Sequence, residues 1–336
     1  MTWWEMRQAI LRFAQNDMDG ILNINKATGM TSHDVVASIR RLLKEKRVGH
    51  AGTLDPLASG VLPICVGQAT RVAEYLSESG KAYLATIVFG SVTDTYDAEG
   101  VILRTASTAD LSRARVEEAL EHFMGPQLQI PPRYSAIKLQ GQPAYKRARA
   151  GEEVELAPRP IVIHTLEVVE CNLPSVTLAV ECSKGTYIRS LAYDLGEYLG
   201  CGAYLAALVR TRSGPFLLAE SVTLEELRSV VEAEMGDQGA RIDAEHGGPG
   251  GRPQGSPLRY LYPVDKALEG YPALILDAAT VERVLHGNAF RYSRDEDIPQ
   301  TTGIARVYSE DERFVAVAEW DAAQAIWKPR KVFTGS

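Results

Sequence analysis

Polar and apolar positions alternate over ILNINK (Ile21 to Lys26), the period of a short strand. Thr31 and Asp34 then have the spacing of a capping box, and Val35, Val36, Ile39, Leu42 and Leu43 repeat at helical spacing. A further helix is predicted around Ala69 to Leu76. KAYLATIVFGS (Lys81 to Ser91) is a strand by its β-branched and aromatic content, and DAEG (Asp97 to Gly100) is a turn. Ser112 opens a helix with the apolar stripe Val116, Leu120, Phe123 and Met124, closed by Gly125. IVIHTLEVVEC and SVTLAVECSKG are two strands joined by a turn at Asn172 to Pro174, and Ile188, Leu191, Ala192, Leu195 and Leu199 mark another helix. Strands and helices do not alternate regularly. The expected class is therefore α+β, with a mixed, mainly antiparallel central sheet and flanking helices. GDQGARIDAEHGGPGGRPQGSP is too rich in Gly, Pro and polar residues to bury a core, and reads as a linker. After it, ARVYS and RFVAVAEW are short strands of a small, mostly β, C-terminal domain. The expected division is a weakly ordered extension (1–17), a main domain (18–235), a linker (236–257) and the small domain (258–336).

Composition adds the class. The 336 residues are 45% hydrophobic and 24% charged, ordinary for a globular protein. No apolar run approaches the roughly 18 residues of a membrane span. The N-terminal stretch lacks the apolar core and cleavage site of a signal peptide. Cys65, Cys171, Cys182 and Cys201 are widely spaced with no C-x-x-C pair, so neither a zinc site nor a disulfide framework is expected, and a reducing cytoplasm fits.

The net charge of −7 argues against nucleic acid until its distribution is read. Ala219 to Glu245 holds eight acids against two arginines and carries most of the excess. IRRLLKEKR (Ile39 to Arg47) has five basic residues and one acid. Pro132 to Arg149 has five basic residues, two tyrosines and no acid, and KPRK lies near the C-terminus. Several basic patches of this kind suit contacts with phosphates, although each could also be a solvated face.

Candidate chemistry is sparse. No phosphate-binding G-x-x-x-x-G-K-[ST] and no dinucleotide fingerprint occurs, and the six histidines are scattered without metal-ligand spacing. What remains is GHAGTLDPLASG (Gly49 to Gly60), a loop rich in Gly that carries one acid, Asp55. By residue type alone, Asp55 is a turn aspartate before Pro56, a cap, half of an acid/base pair, a metal ligand or a nucleophile.

The longer stretch GHAGTLDPLASGVLPICVGQATR resembles the TruB-type family of tRNA pseudouridine synthases, which includes related archaeal and eukaryotic guide-RNA-dependent enzymes. KATGMTSHDVV is similar to another motif of that family, with Ala27 where proline is usual. KAYLATIVFGSVTDTYDAEG, QIPPRYSAIKLQGQPAYKRAR, CSKGTYIRSLAYDLGEYLG and LVRTRSGPF follow in the family's order, from about Gly20 to Phe216. The resemblance implies a pseudouridine synthase fold with a PUA-like C-terminal domain. It implies Asp55 as nucleophile, Arg189 as its charge partner and Tyr83 against the target base. His50, Tyr187, Leu208, Arg133 and Lys138 would bind substrate, the last two from an RNA-gripping loop at about 125–152. The implied reaction is isomerisation of uridine 55 in the T-arm loop of tRNA, with no cofactor, metal or membrane, by a cytoplasmic monomer that needs no protein partner. Bond breaking at C1′–N1 and rejoining at C5 needs an ionised carboxylate near the sugar and an extruded base. Two rivals remain: a tRNA-folding chaperone with an inactive pocket, which the intact Asp55 disfavours, and a guide-RNA-dependent subunit, whose longer basic tails are not expected here.

Overall fold

The first strand of the computed structural model, β1 (Gly20–Lys26), is the alternating segment read from sequence. The structure describes residues 18–237, 260–292 and 303–333, except 136, 140, 145, 146, 148, 149, 151 and 153–155. Then come β2 (Val48–His50), β3 (Ser59–Val66), β4 (Lys81–Phe89), β5 (Ser91–Thr93), β6 (Ile102–Thr105) and β7 (Gly125–Gln129). The hairpin strands β8 (Lys138–Leu139) and β9 (Gln142–Pro143) precede β10 (Arg159–Asn172), β11 (Ser175–Cys182) and β12 (Ala203–Ser213). Short strands β13 (Phe216–Leu217), β14 (Val222–Thr223) and β15 (Leu261–Tyr262) complete the main sheet. Its order is β14-β1-β3-β12-β4-β11-β10-β7. The β1–β14 and β3–β12 pairs are parallel, and the others along this path are antiparallel. The α+β expectation with a mainly antiparallel sheet holds.

Period-2 burial sends Leu22, Ile24, Leu62, Ile64, Ala85 and Ile87 into a core covered by the helices Ser32–Leu43, Arg113–Glu121 and Ile188–Tyr198. The first of these helices carries the expected capping box. Asp34 N donates to Thr31 Oγ1 at 3.1 Å, and Thr31 N donates to Asp34 Oδ2 at 2.9 Å. Ile21, Val61 and Cys65 belong to a second cluster, with Phe216, Leu268, Val317 and Phe333. That cluster joins the main sheet to the C-terminal sheet, made of β16 (Ala273–Leu276), β17 (Ile304–Ser309), β18 (Phe314–Asp321) and β19 (Ile326–Val332). The chain pairs with β1 through β15 before this second sheet begins.

Two helical expectations change. The Ala69–Leu76 helix is divided into a 3-10 segment, Gly67–Val72, and an α-helix, Ala73–Glu78. The Asp19 carboxylate accepts from Gln68 N at 2.6 Å, and Thr70 Oγ1 donates back to Gly67 O, so side chains hold the tighter turn. The Ser112 helix ends at Glu121, and Met124 is exposed instead of continuing the stripe. Bonds from Phe123 N to Leu120 O and from His122 N to Ala119 O wind the last turn tighter, and Gly125 (φ 82°) then turns the chain into β7. The segment read as extension (1–17), the linker from 238 to 257 and the first two residues of the small domain lie outside the described residues; the helix Leu224–Asp237 reaches the linker's start.

Candidate active site

Asp55 lies between β2 and β3 on a segment fastened on both sides. Ser32 Oγ donates to Leu54 O at 3.1 Å, and Leu54 N donates to Ser32 Oγ at 2.9 Å. Pro56 O accepts from Gly29 N at 2.8 Å and from Lys26 Nζ at 3.5 Å. KATGMTS thus anchors GHAGTLDPLASG through Lys26, Gly29 and Ser32. Arg210 of β12, 1% exposed, secures the segment from the sheet. Its Nη1 and Nη2 donate to Thr53 O and Gly52 O at 3.4 and 3.2 Å, and its Nε to Val61 O at 2.6 Å. Gly60 pairs with Arg210 at φ 97°, where a Cβ would lie 2.3 Å from Arg210 O, so no other residue fits there without a shift.

Arg189 stands in the first turn of the helix Ile188–Tyr198 and is almost fully buried. Its Nη2 lies 2.9 Å from Asp55 Oδ2 and donates to Tyr134 O at 3.0 Å. Its Nη1 lies 3.4 Å from Asp97 Oδ2 and donates to Thr95 O at 3.3 Å. One planar fork therefore joins the Asp55 loop, the β5–β6 turn and the start of the basic loop. Asp55 is 42% exposed in its side chain and Asp97 only 6%, so the first carboxylate faces out from the ion pair and the second is committed to holding the arginine.

A cavity of about 260 Å³ opens beside Asp55. Tyr83, Tyr187, Arg189, Leu208 and Arg210 line it, with Lys81 at one side. Tyr83 and Arg210 are register partners on β4 and β12, and both side chains line the cavity. Tyr187 is placed by a buried amide. Tyr187 N donates to Gln129 Oε1 at 2.8 Å, while Gln129 Nε2 donates to Tyr187 O at 3.0 Å. The structure thus brings Asp55, Tyr83, Tyr187, Arg189 and Leu208 to one cavity. His50 is not among its lining residues; its ring meets His33 at a centroid distance of 5.7 Å. Arg133 is exposed on the loop after β7, and Lys138 starts β8.

Burial sets the protonation of the site. It pushes Lys26 down to about 8 against the attraction of Asp55, and Lys81 down to about 8 with the help of the Arg210 charge. It lowers the His50 imidazole, aided by the His33 and Arg210 charges, and raises the Tyr83 and Tyr187 phenols.

Sequence reasoning passed over Asp97, Lys26, Lys81 and Arg210. The last three shared a legible signal: each cation falls in phase with apolar inward positions of a strand, as with Ile24 and Lys26, Tyr83 and Lys81, Leu208 and Arg210. Asp97 had none beyond its place in a turn. No group of His, Cys, Asp and Glu suited to a metal ion occurs among the described residues, and no helix among them is long and apolar enough to cross a membrane.

Comparison with known proteins bears on the whole chain. Residues 40–188 match the TruB family pseudouridylate synthase (N terminal domain). Residues 189–269 match the tRNA pseudouridylate synthase B C-terminal domain, and 272–333 the pseudouridine synthase II TruB C-terminal region. A tRNA pseudouridine synthase B of Pseudomonas putida is 43% identical over 305 residues, 91% of this chain and 92% of that protein. One of Burkholderia pseudomallei is 42% identical over 328 residues, 97% of each. Among solved structures, a chain of a Cbf5-Nop10-Gar1 complex superposes with a TM-score of 0.70 at 26% identity, covering 96% of this chain and 86% of that one. A chain of an H/ACA RNP bound to a substrate RNA containing 2′-deoxyuridine gives 0.67 at 25%, covering 95% and 86%.

Proposed function

Because this chain belongs to the TruB family of pseudouridylate synthases, we propose that it is a tRNA pseudouridine synthase that converts uridine 55 of the T-arm loop and acts without a guide RNA or protein partner. The observation that carries the reading is the half-exposed Asp55 carboxylate, paired with buried Arg189 at the mouth of a cavity floored by Tyr83. The cavity takes one base turned out of the RNA stack. Asp55 then either attacks C1′ or removes a C2′ proton, and both routes break the C1′–N1 bond. The freed uracil turns against the flat face of Tyr83, and C5 joins C1′ as the Asp55–C1′ ester breaks on the first route or as the C2′ proton returns on the second; C5 then loses its proton and N1 gains one. Atoms and electrons balance without a redox partner, so the proposal carries no cofactor or metal. Arg189 holds Asp55 in direction and charge while RNA covers the cavity.

The match to proteins named tRNA pseudouridine synthase B, at 42–43% identity over most of the chain, favours this reading over assembly in a complex like that of the solved neighbours, which are only 25–26% identical. The basic loop with Arg133 and Lys138 and the PUA-like C-terminal sheet would grip the tRNA, with His50 outside the base cavity. We place the working protein in the cytoplasm with its substrate, as a monomer. The test is to incubate the protein alone with an unmodified tRNA transcript and map pseudouridine. Conversion at position 55 is expected. Conversion only when guide RNA and partner proteins are added, or none at all, would overturn the proposal.

A further inference from the structure

We infer that Tyr96 and Tyr193 form a positioning device for Arg189, a role that rests on the reading of Arg189 as the partner of the reacting carboxylate. Tyr96 is the middle residue of Thr95–Tyr96–Asp97, and both neighbours bind the same nitrogen of Arg189, at 3.3 and 3.4 Å. For a carbonyl and the next-but-one carboxylate to converge on one atom, the chain between them must turn sharply. It does so at Tyr96, with φ 65°, in the left-handed region that a bulky side chain rarely occupies.

Glycine would take that conformation freely, so the tyrosine must be held there. Its ring lies on Tyr193, centroids 4.1 Å apart and planes at 19°. Tyr193 stands four residues after Arg189 in the same helix, one turn on and on the same face. The helix that supplies the arginine thus also supplies the ring that fixes the turn receiving it. The turn is tied down beyond the stack as well. Leu205 N of β12 donates to Tyr96 O at 3.0 Å, and Ala98 N donates to Leu205 O at 3.0 Å. β12 also presents Leu208 and Arg210 to the cavity, so the hook and the cavity share a support.

The experiment uses the full chain with Tyr193→Phe, Tyr193→Ala, Arg189→Lys and the double variant Arg189→Lys/Tyr193→Ala. Single-turnover rates are taken at saturating enzyme, and tRNA affinity and melting temperature are measured alongside. Tyr193→Phe keeps the stack and should stay within about twofold of the parent rate. Tyr193→Ala should lose about tenfold or more in saturated rate, with affinity changed less than about twofold. In the Arg189→Lys background the same truncation should cost little further, because the stack acts through the guanidinium. A merely stabilising stack would lower the melting temperature and leave the saturated rate intact, or would cost the same in both backgrounds, and either result overturns the inference. The Arg189 Nε–H resonance gives a readout that needs no turnover. It should be sharp in the parent and Tyr193→Phe proteins and broadened or displaced in Tyr193→Ala. An unchanged resonance overturns the device even if uridine is not the substrate, whereas a parent protein without turnover counts only against the proposed activity.

Discussion

Two carboxylates meet Arg189, and their surroundings divide the work. Asp97 is buried and also accepts from Thr95 Oγ1 at 2.6 Å and Glu99 N at 3.1 Å, so both its oxygens are engaged. Asp55 keeps a face toward the cavity. In the proposed chemistry, Arg189→Lys keeps the charge but cannot span two carboxylates and two carbonyls, and Arg189→Met loses both properties. We expect saturated single-turnover rates in the order Arg, Lys, Met, with methionine slower by about a thousandfold. Rescue of both variants by high enzyme concentration would make Arg189 a phosphate grip instead. The buried lysines make a prediction on stability. Between pH 8 and the unfolded value of 10.5, the folded chain has released the Lys26 proton and the unfolded chain still holds it. Raising the pH in that window therefore favours the folded state, and below about 8 the slope vanishes. Denaturant titrations of the parent and Lys26→Met proteins at several pH values should show the parent gaining on the variant from pH 8 upward. A constant difference would mean that the buried ammonium keeps its ordinary pKa.

At the scale of elements, the site is a junction of three sequence-distant segments on a sheet centre, and each is held by hydrogen bonds between polar side chains and backbone. Gly60→Ala should destabilise the protein by about 3 kcal/mol through strain at φ 97° and contact with Arg210 O, read as a lowered denaturation midpoint. A neutral effect would show that the β3–β12 pair yields easily. The elements themselves were largely legible. The Thr31–Asp34 box, the alternation in β1 and the helical stripe from Ile188 are local signals, and local signals survive in one dimension. The inward phase of Arg210 was legible, but its partners were not, because they are carbonyls brought in by β-pairing, and Asp97, held by a guanidinium from a distant helix, had no signal at all. The parallel β3–β12 contact that sets Arg210 under the Asp55 loop joins residues about 150 apart, and no periodicity announces it. The end of the Ser112 helix was misjudged for a related reason. Tight bonds in its last turn, not the apolar pattern, decide where Met124 points.

For the whole molecule, the C-terminal sheet is not a loosely tethered addition. Phe333 and Val317 share a core with Ile21, Val61 and Phe216. Arg71 Nη1 donates to Val332 O at 2.6 Å, and its guanidinium lies 4.9 Å from the Phe333 ring centroid. Phe333→Ala should cost about 3 kcal/mol in stability and weaken tRNA binding more than it slows the saturated reaction, since the bond-breaking groups lie on the main sheet. A collapse of the saturated rate at unchanged affinity would contradict that separation. The central claim is that Asp55 performs the chemistry. Its most direct test compares parent and Asp55→Asn proteins, freshly prepared to avoid deamidation, in single-turnover conversion of uridine 55 at saturating enzyme, with tRNA affinity measured in parallel. The account predicts conversion by the parent, none by the variant, and similar affinities; measurable conversion by Asp55→Asn would contradict it.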